Sequence, residues 1–146
     1  MSDMKQVVIC KAVRETASSI LQTMISYAEE ILQLLELPYR VSCRGLQRRY
    51  GWKNYKQFDI ETWMPSRGSY GETHSASNLL DFQARRSKIR YKDEEGQLHY
   101  PYTLNNTAVA SPRILIPLLE NHQREDGSIY VPEALRPYMR GITELR

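Results

Sequence analysis

From Tyr39 to Leu104 the chain carries extended segments separated by turn residues, with no helical repeat between them. Tyr39–Cys43 is the first segment. Phe58-Asp59-Ile60-Glu61-Thr62-Trp63-Met64 alternates apolar and polar positions, the period of a strand with one covered face. Pro65 to Gly71 forms a turn, and Glu72–Asn78 is extended again. Lys88–Lys92 and Leu98–Leu104 flank Asp93-Glu94-Glu95-Gly96, a hairpin signal with glycine at the left-handed position. Strands in direct succession pair antiparallel through short turns, whereas parallel pairing needs a crossover helix between them. The expectation is an α+β fold on a mainly antiparallel sheet. A parallel nucleotide-binding fold is excluded, and neither GxGxxG nor a phosphate loop occurs. Any nucleotide must be held another way.

Helices are expected on either side of this run. Val7-Val8-Ile9-Cys10 reads as a short strand. Leu21, Met24, Ile25, Ala28, Ile31, Leu32 and Leu35 then recur at three- and four-residue steps, which is one apolar stripe on a helix. Pro38 stops it, because the residue before a proline disfavours helical dihedrals. Ser111-Pro112 reads as an N-cap followed by proline at the first helical position. Ile114, Leu115, Leu118 and Leu119 supply that helix's apolar face, and Asp126-Gly127 ends or follows it.

A chain of 146 residues suits one domain or part of one. The net charge of +3 is compatible with a nucleic-acid partner. Cys10 and Cys43 are too few for a disulfide framework and have no zinc-ligand spacing, which suggests a reducing compartment. With no apolar run of membrane-spanning length and no leader pattern, a cytoplasmic location is expected. His74, His99 and His122 lack ligand-like spacing and read as structural. In residues 44–57, Arg44, Arg48, Arg49, Lys53 and Lys56 interleave with Tyr50, Trp52 and Tyr55. That mixture suits single-stranded RNA, or a solvated loop whose aromatics fold back onto the body.

Seven blocks occur in one order. They are Phe58-Asp59-Ile60-Glu61, Glu72-Thr73-His74-Ser75-Ala76-Ser77-Asn78, Asp81-Phe82-Gln83-Ala84-Arg85-Arg86, Thr103-Leu104-Asn105-Asn106-Thr107, Ser111-Pro112-Arg113, Leu119-Glu120-Asn121-His122-Gln123 and Val131-Pro132-Glu133. Together they resemble the end of bacterial-type serine–tRNA ligases, class II aminoacyl-tRNA synthetases, over about Lys5 to Gly141. The resemblance implies that residues 1–146 are the C-terminal portion of a class II catalytic domain. It implies ATP, Mg2+, serine and tRNA as the partners of the full enzyme. Serine attacks the α-phosphate of ATP, and the aminoacyl group then passes to tRNA. It assigns Glu72 and Ser75 to magnesium and ATP, Arg113 to the ATP phosphates as the catalytic arginine, and Asn105 and Thr107 to serine. A carboxylate and a hydroxyl are hard oxygen donors, which suits magnesium. Read without the resemblance, these residues are an exposed strand end with ordinary polar residues, an Asn/Thr turn before a helix and a surface arginine.

Some residues depart from the family pattern. Asp3-Met4-Lys5 stands where the family has Lys-Val-Glu, so a cation replaces a carboxylate that faces the substrate's ammonium group. Arg44-Gly45-Leu46 replaces Thr-Gly-Asp, Ala76 replaces cysteine, and Pro117 falls inside the last helix. The N-terminal tRNA-binding arm, the first motif and the second-motif arginine are expected to be missing, and the chain is expected to be inactive alone. It is then an enzyme fragment, a non-catalytic paralog that binds nucleotide or RNA, or a remnant. Self-association or a complementing chain is expected of a partial sheet.

Overall fold

The computed structural model describes residues 4–11, 13–44 and 56–146. Apart from Arg44, Lys56 and Gln57, the basic and aromatic stretch 44–57 lies outside them.

Five strands form one sheet: β1 (Met4–Cys10), β2 (Tyr39–Arg44), β3 (Lys56–Met64), β4 (Ser69–Asn78) and β7 (Tyr102–Val109). Their order is β1-β7-β4-β3-β2, and every neighbouring pair is antiparallel. The expected α+β class and antiparallel sheet are therefore present. Two helices lie along the sheet, α1 (Arg14–Leu34) and α3 (Ser111–His122). A short helix, α2 (Phe82–Arg86), follows β4, where the sequence showed no helical repeat because one turn and a half carries none. The hairpin strands β5 (Tyr91–Lys92) and β6 (Leu98–His99) are shorter than expected. Gly96 is left-handed in their turn, as expected. Pro101, lacking an N–H, separates β6 from β7. The strands β8 (Ile129–Tyr130) and β9 (Glu144–Leu145) close the chain as a two-stranded ribbon. Among the described residues no helix is long and apolar enough to cross a membrane.

The apolar stripe of α1 makes the core. Ala17, Leu21, Met24, Ile25, Ala28 and Leu32 pack with Ile60 of β3, Ala76 of β4, Leu104 of β7 and Ile114 of α3. The three strand residues therefore project from one face of the sheet, and α1 and α3 cover that face. Asn106 lies on this face too, and its Nδ2 donates to the Met24 carbonyl at 3.2 Å. The helix begins about two turns before the stripe, at Arg14, because Ala17 is already buried.

Helix α1 stops before Pro38 acts. The Leu37 N–H reaches the Leu32 carbonyl and the Glu36 N–H reaches that of Gln33, with Glu36 left-handed at φ 55°. This pattern satisfies two orphan carbonyls at a helix end, usually with glycine in the place Glu36 holds. In α3 the first helical residue is Ser111, and the N-cap is Ala110 with no side-chain cap, one position earlier than expected. The helix runs unbroken through Pro117, which is fully buried, and Asn121 Nδ2 donates to the Pro117 carbonyl at 2.8 Å.

His74 is buried on the helix-covered side, and burial pushes its imidazole down to about 4 from an ordinary value near 6.5, against a smaller opposing effect of the Ala108 backbone. Its pKa is depressed on folding, so between those values the unfolded chain holds a proton that the folded chain does not. Stability should therefore fall as pH drops from 6.5 toward 4, by about 2 kcal/mol between pH 7 and pH 5. Urea unfolding at the two pH values measures this, and His74→Gln should remove most of the difference. An equal pH difference in the variant would refute the assignment.

Candidate functional site

Among the described residues the second face of the sheet carries no helix comparable to α1 or α3, and it displays polar side chains. On β3 these are Gln57, Asp59 and Glu61, alternating with the core residue Ile60. On β4 they include Glu72 and Ser75. Residues three apart on a regular strand point to opposite faces. Here the β3–β4 register shifts, with Ile60 opposite His74 and Glu61 opposite Glu72, so Thr73 is the extra residue of a bulge. Asp59 and Glu61 share a face, and their partners Ser75 and Glu72 therefore share it too. The bulged Thr73 is held by its Oγ1, which donates to the Ile60 carbonyl at 3.2 Å and meets Thr62 Oγ1 at 2.8 Å.

Arg113 reaches this face from the first turn of α3. Its Nη1 lies 2.9 Å from Glu72 Oε1. Next to that pair, Ser75 Oγ donates to Asp59 Oδ1 at 2.8 Å, and Gln57 Nε2 donates to both at 2.9 and 3.1 Å. Asp59 is 1% exposed. A buried carboxylate needs a charged or hydrogen-bonding partner. Arg44 of β2 provides it by an ion pair through its Nε, while Arg40 pairs with Glu61 at 2.6 Å. The face is therefore a row of carboxylates with arginines on both flanks.

Asn105 and Thr107 project from β7 to this same face, since they alternate with the inward Leu104 and Asn106. Ser77 is opposite Asn105 on β4, and Val7 is opposite it on β1. Lys5 is opposite Thr107. All five residues singled out in the sequence thus share one face, and Glu72 and Arg113 touch. Ala76 points the other way, into the core, so the change from cysteine does not alter the site surface.

Glu72 and Ser75 offer a carboxylate and a hydroxyl on the same face, hard oxygen donors of the type magnesium takes. Among the described residues no group of three or more His, Cys, Asp or Glu could hold a metal by itself. The three histidines have structural surroundings. His122 Nε2 meets the Leu35 carbonyl at 2.8 Å, His99 Nε2 meets Asp93 Oδ2 at 2.6 Å, and His74 is buried.

Asp59, Glu61, Arg40 and Arg44 were not singled out from sequence as part of the site. Their signal was there in part: each strand carries polar residues at alternating positions. The pairing of Arg40 with Glu61 depends on the β2–β3 register, which one strand's sequence does not specify.

Comparison with known proteins agrees with this architecture. The family tRNA synthetase class II core domain (G, H, P, S and T) matches residues 2–122. The serine–tRNA ligase of Deinococcus radiodurans is 53% identical over 139 residues, covering 94% of this chain and 32% of the relative. That of Rubrobacter xylanophilus is 50% identical over 127 residues, covering 86% and 29%. The seryl-tRNA synthetase from Pyrococcus horikoshii complexed with ATP superposes with a TM-score of 0.88 at 40% identity, over 97% of this chain and 31% of that one. The chain spans about a third of the length of the relatives it matches. The antiparallel sheet, the helices on one face and these matches together show that the chain belongs to the class II tRNA synthetase core family, with serine–tRNA ligases as its relatives.

Proposed function

We propose that residues 1–146 are the C-terminal portion of a serine–tRNA ligase catalytic domain, and that their open sheet face binds ATP and serine in the complete enzyme. The carrying observation is the contact of Arg113 with Glu72 at 2.9 Å, beside Ser75 on the same face. In this reading Arg113 lies against the ATP phosphates, and its charge adds to the positive end of the α3 dipole. Glu72 and Ser75 hold magnesium, which would neutralise phosphate charge. Glu72 and Arg113, paired with each other in the free chain, then exchange partners for cation and phosphate. Asn105 and Thr107 hydrogen-bond serine, and such polar groups discriminate because a wrong substrate leaves them unpaired. tRNA is the acceptor of the complete enzyme. Among the described residues β1 and β2 are the outer strands of the sheet, and an outer strand favours self-association or a complementing chain.

A second reading, a non-catalytic module that binds nucleotide or RNA, is favoured by one observation. Lys5 stands opposite Thr107, placing a cation where the reading above seats the substrate's ammonium group.

Calorimetric titration of the 146-residue chain with ATP and magnesium tests the nucleotide site. Arg113→Ala and Glu72→Gln should each weaken binding by roughly 10- to 100-fold, the worth of a charge-assisted hydrogen bond. Unchanged binding in both variants would remove this site. Serine-dependent exchange of pyrophosphate into ATP should be absent from the isolated chain. Its presence there favours the catalytic over the non-catalytic reading.

A further inference from the structure

On the open face, the neighbours of Ser75 fix which hydrogen-bond roles its hydroxyl can play. Ser75 Oγ lies 2.8 Å from Asp59 Oδ1. An ion-paired carboxylate can only accept, so the hydroxyl hydrogen is directed at Asp59. Gln57 Nε2 lies 2.9 Å from the same Oδ1 and 3.1 Å from Ser75 Oγ. An amide oxygen could not sit against a carboxylate, so the amino group of Gln57 is the end that faces both. Ser75 Oγ thus has its hydrogen and one lone pair engaged, and one lone pair left. Asp59 is itself committed. Its Oδ1 accepts from two donors, its Oδ2 pairs with Arg44 Nε, and it is 1% exposed. Arg44 is held in turn by Glu61, 3.8 Å from its Nη2.

We infer that Asp59 is a positioning residue for magnesium: it takes the Ser75 hydroxyl hydrogen and leaves that oxygen able to meet a cation only through its lone pair. The inference rests on the reading of Glu72 and Ser75 as magnesium ligands. An unheld serine hydroxyl turns through staggered positions, and in some of them its hydrogen faces the cation. A bond to a fixed carboxylate removes those positions and makes the oxygen a better electron donor. Outer partners of this kind are typically worth roughly 10- to 100-fold in metal affinity. Asp59 does not need to touch the cation to do this. Because Arg44 balances its charge, Asp59 acts through the hydroxyl rather than through its own field.

Calorimetric titration of the full chain with ATP, once with magnesium and once in EDTA, tests it. Asp59→Asn should weaken binding by roughly tenfold or more with magnesium, and by at most about twofold in EDTA. The asparagine turns its oxygen to Arg44 and its amino group to Ser75, so the hydroxyl must accept there and loses the lone pair a cation needs. Ser75→Ala should lose the same amount. The double variant should lose no more than either single one, because both act on one oxygen. If Arg44 without its carboxylate unfolds the chain, Arg44→Gln combined with Asp59→Asn removes both charges and carries the same expectations. Equal loss with and without magnesium would mean that Asp59 only supports the sheet, and would overturn the inference. Additive losses overturn it too, since Asp59 would then act on the cation independently of Ser75. Magnesium-dependent binding that survives Asp59→Asn sinks this inference and leaves the nucleotide site standing. ATP binding that gains nothing from magnesium in the unaltered chain removes the metal reading of Glu72 and Ser75, and this inference with it.

Discussion

Lys5→Glu should raise serine-dependent pyrophosphate exchange by about 100-fold in a chimera that places the amino-terminal part of the Deinococcus radiodurans relative ahead of this chain. The physical ground is the register of β1 on β7. Lys5 is opposite Thr107, a residue proposed to contact serine, and both project to the open face. A cation there repels the substrate's ammonium group, and a carboxylate attracts it. Two unit charges about 4 Å apart interact by roughly 4 kcal/mol at an effective dielectric near 20. Solvent at this edge strand screens part of that, so about 3 kcal/mol, or two orders of magnitude, is the expected change. Equal exchange in the chimeras with Lys5 and with glutamate would show that the position does not touch serine. A change in ATP affinity without a change in the serine requirement would move its role to the nucleotide.

Leu104→Ala should cost about 2 to 5 kcal/mol of folding stability and lower Tm by roughly 10 °C. Leu104 is 0% exposed, in the middle of β7, and it packs in the cluster shared by α1, β3 and β4. Truncation there removes apolar burial from the joint between the long helix and the sheet and leaves a cavity. Val7→Ala is the matched comparison on the neighbouring strand. Val7 is 61% exposed on the open face, and its truncation should stay within about 0.5 kcal/mol. Urea unfolding of both variants gives the two numbers. A loss below about 1 kcal/mol for Leu104→Ala would mean that α1 does not pack on the sheet as described.

These two positions show how legibility varied along the chain. The stripe from Leu21 to Leu35 is visible because a helix brings residues three and four apart onto one side, and that same side is the core. The alternation in Phe58–Met64 is visible for the equivalent reason in a strand. Sequence showed no helix at Phe82–Arg86, since five residues are too few to display a period. The end of α1 was displaced from Pro38 to Leu34 because Glu36 accepts a left-handed backbone, which a propensity argument reserves for glycine.

The candidate site divides in the same way. The family resemblance carried by the ordered blocks pointed to Glu72, Ser75, Asn105, Thr107 and Arg113, each through the block that contains it. Their placement on one face followed from features that no local pattern carries. The bulge at Thr73 turns Glu72 to the side of Ser75, and it exists only as a mismatch between two strands. The ion pair of Arg44 with the buried Asp59 requires strands β2 and β3 in one register.

By itself the sequence determined the longer elements, their order, the antiparallel class and the family, because all of these are encoded in short-range periodicity and in residues met in series. The tertiary structure alone decided which polar side chains face each other, which carboxylate is buried with an arginine, and on which side of the sheet Lys5 stands. Those are set by register and by the packing of helices on one face, and a shift of one residue would have reversed every one of them.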